Sequence, residues 1–223
     1  MIRVKKAVEP ASFDATVRQP GLRCIAELVG APTPARRGRP RTQRGKYTSR
    51  AAIPSRLFTD YWTAAIPDLR ERYRNLCAYL ALYIEKGVGT ATIDHFVPRS
   101  KDWSRVYEWD NYRLCAAIVN GAKSDRQSAF DPFTLEPGIF ALEFTEYQVI
   151  PGPRAKGPTL AEVDSTCEIL GLNLRDCREA RAEYVADYLL GPPEGIALQR
   201  LERRAPFIAQ ELRRQGLLVR GDT

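Results

Sequence analysis

Thr92-Ile93-Asp94-His95-Phe96-Val97-Pro98-Arg99-Ser100, then Trp109-Asp110-Asn111-Tyr112-Arg113-Leu114, then Asn120-Gly121-Ala122-Lys123-Ser124-Asp125 are three polar clusters that each leave an apolar flank. Thr90 to Val97 is rich in β-formers and is stopped by Pro98, which cannot donate to a ladder. Tyr112 to Ala117 is a second β-like run, and the polar, aromatic loop Arg99 to Asp110 joins the two. A helix is expected to start near Asn120. The unit therefore reads as strand, loop, strand, helix.

Hydrolysis of a phosphodiester needs a base for water, a cation to neutralise the phosphorane and leaving oxygen, and hard oxygen ligands for that cation. The Asp94 carboxylate and Asn120 carbonyl can act as ligands, and His95 can act as the base near neutral pH. His95 is the only histidine of the chain, which excludes His-x-x-x-His zinc proteases, three-His zinc sites and two-His facial triads. A regular strand sends Asp94 and His95 to opposite faces, so joint use of both requires the strand to end there.

With these residues in place the unit resembles the HNH, or ββα-metal, nucleases. Asp94-His95 ends the first strand, Asn111 opens the second, and Asn120 stands in Asn-x-x-Lys at the expected helix start. The step from Asn111 to Asn120 resembles the HNH domain of RNA-guided CRISPR nucleases, where asparagine likewise replaces the last histidine. The wider context of Tyr107-Glu108-Trp109-Asp110-Asn111, Asp131-Pro132-Phe133 and Ile169-Leu170-Gly171-Leu172-Asn173 is closer to the HNH subunits of ATPase-paired anti-phage systems of the Septu and retron kind. The similarity covers roughly residues 57 to 190.

The resemblance implies Mg²⁺ or Mn²⁺ on Asp94 and Asn120, His95 as general base, Asn111 bracing the loop that holds His95, and Lys123 meeting a phosphate at a helix N-terminus. It also implies DNA as substrate with a 5′-phosphate product, a role in anti-phage defence, and an ATPase partner. RNA or tRNA cleavage, or nucleic-acid binding without catalysis, remain open alternatives. Many relatives carry two Cys-x-x-Cys pairs on a structural zinc. Here the corresponding places read Cys77-Ala78-Tyr79-Leu80 and Ala116-Ala117-Ile118-Val119, with Cys115 out of register, so no structural zinc is expected.

Around this unit, 223 residues carry 34 Lys and Arg against 27 Asp and Glu, a net charge of +7, with 44 % hydrophobic and 27 % charged residues. That is an ordinary globular composition with a bias toward polyanions. No Walker loop or Gly-x-Gly-x-x-Gly is present, so ATP use belongs to a partner. The five scattered cysteines form no Cys-x-x-Cys pair and read as small buried hydrophobes. The apolar run Leu76 to Ile84 is about half of what a spanning helix needs, and Met1 to Lys6 has no apolar stretch behind it. No membrane association and a cytoplasmic location are expected.

The expected fold is α+β and mostly helical, with the ββα unit embedded between helical segments. We divide the chain into an N-terminal segment (1–33), a basic Arg/Pro-rich linker (34–56), the nuclease core (57–133) and a C-terminal strand and helical region (134–223). Leu57, Tyr61, Trp62, Ala65, Leu69, Tyr73, Leu76, Leu80 and Ile84 recur at helical spacing and predict an amphipathic helix that pauses at Pro67 and ends near Gly87. Ile139 to Ile150 predicts a strand or hairpin. Leu160–Leu170, Leu174–Leu190 and Ile196–Arg214 predict three helices.

Candidate nucleic-acid contacts are Arg36, Arg37, Arg39, Arg41, Arg44 and Lys46 in the linker, together with Arg99 and Lys123. Arg37-Gly38-Arg39-Pro40-Arg41 resembles an AT-hook, whose arginines enter the narrow A·T minor groove. Neutralising Arg36, Arg37, Arg39 and Arg41 together is expected to flatten the salt dependence of duplex binding by up to about 0.9 log unit for each phosphate no longer neutralised. A slope that does not move would make the arm a spacer; equal weakening on A·T-rich and G·C-rich duplexes would leave phosphate attraction alone.

Overall fold

Helix α1 (Gln19–Leu28) carries Pro20 in its first turn, where a missing N–H costs nothing, and buries Cys24, Ile25 and Leu28. It belongs to a computed structural model that describes residues 1–33 and 45–222. Gly21 lies on its buried face, where a Cβ would come within 2.3 Å of the Tyr107 ring. That ring is pinned by a hydroxyl donating to the Thr59 carbonyl at 2.9 Å. Gly21→Ala is therefore expected to destabilise the protein by about 1–3 kcal/mol despite alanine's better helix propensity, as read by denaturant unfolding.

The long helix expected from Leu57 to Ile84 does not form. A 3-10 segment (Tyr61–Ala65) leads into a short α2 (Ile66–Arg72), and the helix stops where Arg74 and Asn75 take positive φ values of 52° and 58°. Arg70 helps to fix the reversal by donating to Asn75 Oδ1 at 2.8 Å. Beyond it, Cys77 to Leu82 folds into a tight turn: the Cys77 amide donates to the Leu82 carbonyl at 2.9 Å and the Ala81 amide to the Cys77 carbonyl at 2.9 Å. The Ala78 amide reaches across to the Leu114 carbonyl at 2.8 Å. This segment is apolar because it is buried on all sides, from Cys77 to Leu82 and again at Ile84. The helix-like spacing is a by-product of that burial.

β1 (Ala91–His95) and β2 (Tyr112–Ala116) form an antiparallel hairpin in which Asp94 pairs with Arg113 and His95 with Tyr112. The short α3 (Ala117–Lys123) follows β2 directly. The hairpin is anchored on its far side by Arg113, 2 % exposed, whose Nε and Nη2 hold both oxygens of Asp131 at 2.8 and 2.5 Å. The Arg113 guanidinium also lies 3.6 Å from the Phe133 ring centre, so Asp131-Pro132-Phe133 is a clamp on the hairpin.

The C-terminal region starts with a second antiparallel pair, β3 (Phe140–Leu142) and β4 (Val149–Pro151), and continues with α4 (Pro158–Ile169) and α5 (Arg175–Leu190). The single helix expected over 196–214 is two, α6 (Leu198–Arg204) and α7 (Pro206–Gln215). Ala205, at φ −143°, and Pro206 break it, since proline starts a helix but cannot continue one. Among the described residues the architecture is α+β with two small antiparallel sheets and a larger helical share. One hydrophobic cluster runs from Met1 to Leu212, so the described parts of the N-terminal, central and C-terminal segments share a core. No helix among the described residues is long and apolar enough to cross a membrane.

Candidate active site

Asp94, His95, Arg99 and Asn120 line one polar cavity of about 450 Å³, together with Trp62, Ser124 and Asp125. Asp94 and His95 share it although they are neighbours, because β1 ends at His95 and the chain turns away at Pro98.

His95 is 7 % exposed and held between rings, with Trp62 edge-on at 4.9 Å and Tyr112 at 5.2 Å. Its Nε2 lies 2.9 Å from the Val106 carbonyl oxygen. A carbonyl can only accept, so Nε2 carries the proton and the lone pair resides on Nδ1. Burial, then the Arg99 guanidinium, lower the imidazole to about 3, which keeps the ring neutral through the physiological range. His95 is thus a neutral imidazole of fixed tautomer.

Asn111, 1 % exposed, accepts from the Val97 amide at 2.8 Å and donates to the Val97 and Arg105 carbonyls at 3.1 and 2.9 Å. It ties both ends of the 97–105 loop that closes over His95. Asn120 sits mid-way along α3 and donates its amide nitrogen to Thr92 Oγ1 at 3.1 Å and to the Ile93 carbonyl at 3.4 Å. Those two bonds orient the side chain, while its carbonyl oxygen accepts none among the described residues. A hard cation could use that oxygen.

Asp94, 2 % exposed, accepts from Lys123 Nζ at 2.8 Å on one oxygen and from the Tyr79 hydroxyl on the other. Lys123 departs from the sequence expectation. It is the last residue of α3, 1 % exposed, and its ammonium also donates to the His95 carbonyl at 2.9 Å. The helix begins at Ala117, not near Asn120, so Lys123 lies at its C-terminal end and turns inward to pair with Asp94. It does not present a charge to an incoming phosphate. Arg99 does reach the cavity: its guanidinium lies 4.8 Å from the Trp62 ring centre at the cavity wall, and it makes no ion pair among the described residues.

Two participants are not evident from sequence. Tyr79 is fully buried, and burial with Asp94 nearby pushes its phenol well above its usual range, so it remains a donor. Asp125 is an exposed carboxylate on the cavity wall, just past Ser124, whose positive φ of 49° ends α3. The polar run Ser124-Asp125 after the helix is the available signal for Asp125; Tyr79 has none, since it reads as one more apolar position.

Of the linker cations, Arg36, Arg37, Arg39, Arg41 and Arg44 lie outside the described residues, and Lys46 is exposed. Arg50 packs its guanidinium 5.2 Å from the Trp103 ring centre. Tyr107 and Trp109, from the loop between the two strands, are core residues, 1 % and 3 % exposed. All five cysteines are buried and free. No protein-family model matches the chain, and no curated protein matches it significantly.

Proposed function

We propose that the chain is a metal-dependent endonuclease of the HNH, ββα-metal kind that hydrolyses phosphodiester bonds of DNA. The observation that carries this reading is that His95, Asp94 and Asn120 line one polar cavity, with His95 Nε2 committed to the Val106 carbonyl and the Asn120 amide nitrogen to Thr92 and Ile93. A bound Mg²⁺ or Mn²⁺ would neutralise charge on the phosphoryl oxygens and the leaving oxygen. The donor set fits such an ion, because Asp94, Asn120 and the nearby Asp125 offer hard oxygens with room for water and phosphate.

The protein's own groups supply the rest. His95 accepts a proton at Nδ1 from the attacking water, and Nε2–H on the Val106 carbonyl holds the ring in place while charge develops on it. Arg99, steadied on Trp62, contacts the scissile or adjacent phosphate. Lys123 and Tyr79 fix the Asp94 carboxylate from behind. A defence role and an ATPase partner rest on the sequence resemblance alone.

Supercoiled plasmid and bulk RNA, each offered to EDTA-treated protein with Mg²⁺ or Mn²⁺ restored, test the reading. Metal-dependent nicking or linearisation of plasmid is the expected result. Cleavage of RNA alone would transfer the same site to RNA, and cleavage of neither would leave a nucleic-acid-binding protein. Zinc should be absent by elemental analysis, and chelation should leave thermal stability unchanged, since the Cys77 sulfur accepts amides of Leu80 and Ala116 at 3.5 and 3.4 Å within a packed turn. One tightly held zinc per chain would give the cysteines a metal role.

A further inference from the structure

Behind the Cys77–Leu82 turn lies a second cavity, of about 210 Å³, that shares no lining residue with the candidate active site. Its walls are largely apolar, with Leu76, Ala78, Leu114 and Pro206 among them. Tyr73 and Phe133, stacked at 6.0 Å with 25° between their planes, supply an aromatic side. Arg3, Lys5, Arg72 and Arg74 also line it, all four exposed, and no acid among the described residues does. None of these four makes an ion pair among the described residues, whereas Arg18, Arg105, Arg113 and Arg154 all do.

Four like charges gathered from two separate segments repel one another, and an anion seated between them relieves that repulsion. The apolar floor adds a second requirement. A dry cavity of about 150 Å³ suffices for one benzene ring, so this space takes a single ring with its charged group left at the mouth.

We propose that this cavity is a binding site for a small anion carrying an apolar ring, an aromatic phosphate or carboxylate, distinct from the nuclease site. The ring inserts against Tyr73 and Phe133, and the anionic group meets the cations of residues 3–5 and 72–74. Cys77, Ala78 and Ala81, from the turn that carries the Tyr79 hydroxyl to Asp94, form part of the wall.

Titration calorimetry with phenyl phosphate, inorganic phosphate and benzyl alcohol as probes tests the proposal on the whole chain without metal or nucleic acid. Phenyl phosphate is expected to bind one per chain, about tenfold or more tighter than either other probe, because only it satisfies both ring and charge. Arg72→Glu with Arg74→Glu should weaken it by about tenfold or more, and Arg3→Glu with Lys5→Glu, on the other segment, should do the same. All four positions are exposed, and thermal melts verify that each variant folds. Arg99→Ala, in the other cavity, should leave the affinity unchanged. Equal binding of phenyl phosphate and inorganic phosphate, indifference to both double variants, or loss on Arg99→Ala would each overturn the assignment, whatever the outcome of the plasmid assay.

Discussion

His95→Ala is expected to lower cleavage by about 10²- to 10⁴-fold, the range that a positioned general base contributes, while nucleic-acid affinity stays near that of the wild type. The imidazole has a defined role, since Nε2–H is committed to the Val106 carbonyl and Nδ1 is left as the nitrogen that takes the proton from water. Alanine also removes a ring packed between Trp62 and Tyr112, which adds a structural effect to the chemical one. His95→Gln separates the two effects, because its amide can still donate toward Val106 but has no ring nitrogen to receive a proton. Both variants should show that loss on plasmid with Mg²⁺, and both should shift duplex at the same salt concentration as the wild type. A wild-type rate in either would remove His95 from the chemistry and leave the cavity as a binding site only.

The hairpin-helix is readable because its signals are local. Pro98 ends the first strand, the polar loop has no competing period, and Tyr112–Ala116 has no helical spacing. The elements around Tyr79 are not readable, for a physical reason. From Leu76 to Ile84 nearly every side chain is apolar, and an apolar run buried on all sides looks the same whether it is helix or turn. Arg74 and Asn75 at positive φ, held by Arg70, decide the matter, and their backbone conformation leaves little trace in sequence. The site therefore shows its cavity-facing half, Asp94, His95 and Asn120, and hides the half that supports Asp94 from behind. Lys123 is misplaced by sequence reading for a related reason. The true helix start at Ala116-Ala117 has no capping side chain to announce it, so Asn120 looks like the start and the lysine three residues later looks exposed.

That misplacement leads to the other large effect. Lys123→Met is expected to destabilise the fold by about 3–5 kcal/mol, the cost of leaving a buried carboxylate without its counter-charge. A surface phosphate-binding lysine would cost almost nothing on the same substitution. Asp94 is 2 % exposed and would keep only the Tyr79 hydroxyl, which cannot replace an ammonium that also holds the His95 carbonyl at 2.9 Å. Adding Asp94→Asn to Lys123→Met should recover much of the loss, because a neutral amide needs no counter-charge, and urea unfolding of the single and double variants measures the coupling. The double variant should fold yet remain inactive, since the carboxylate proposed to hold the metal is gone. Lys123→Met with unchanged stability and weakened duplex binding would instead mean that the ammonium faces the nucleic acid, and the inward pairing with Asp94 would have to be abandoned.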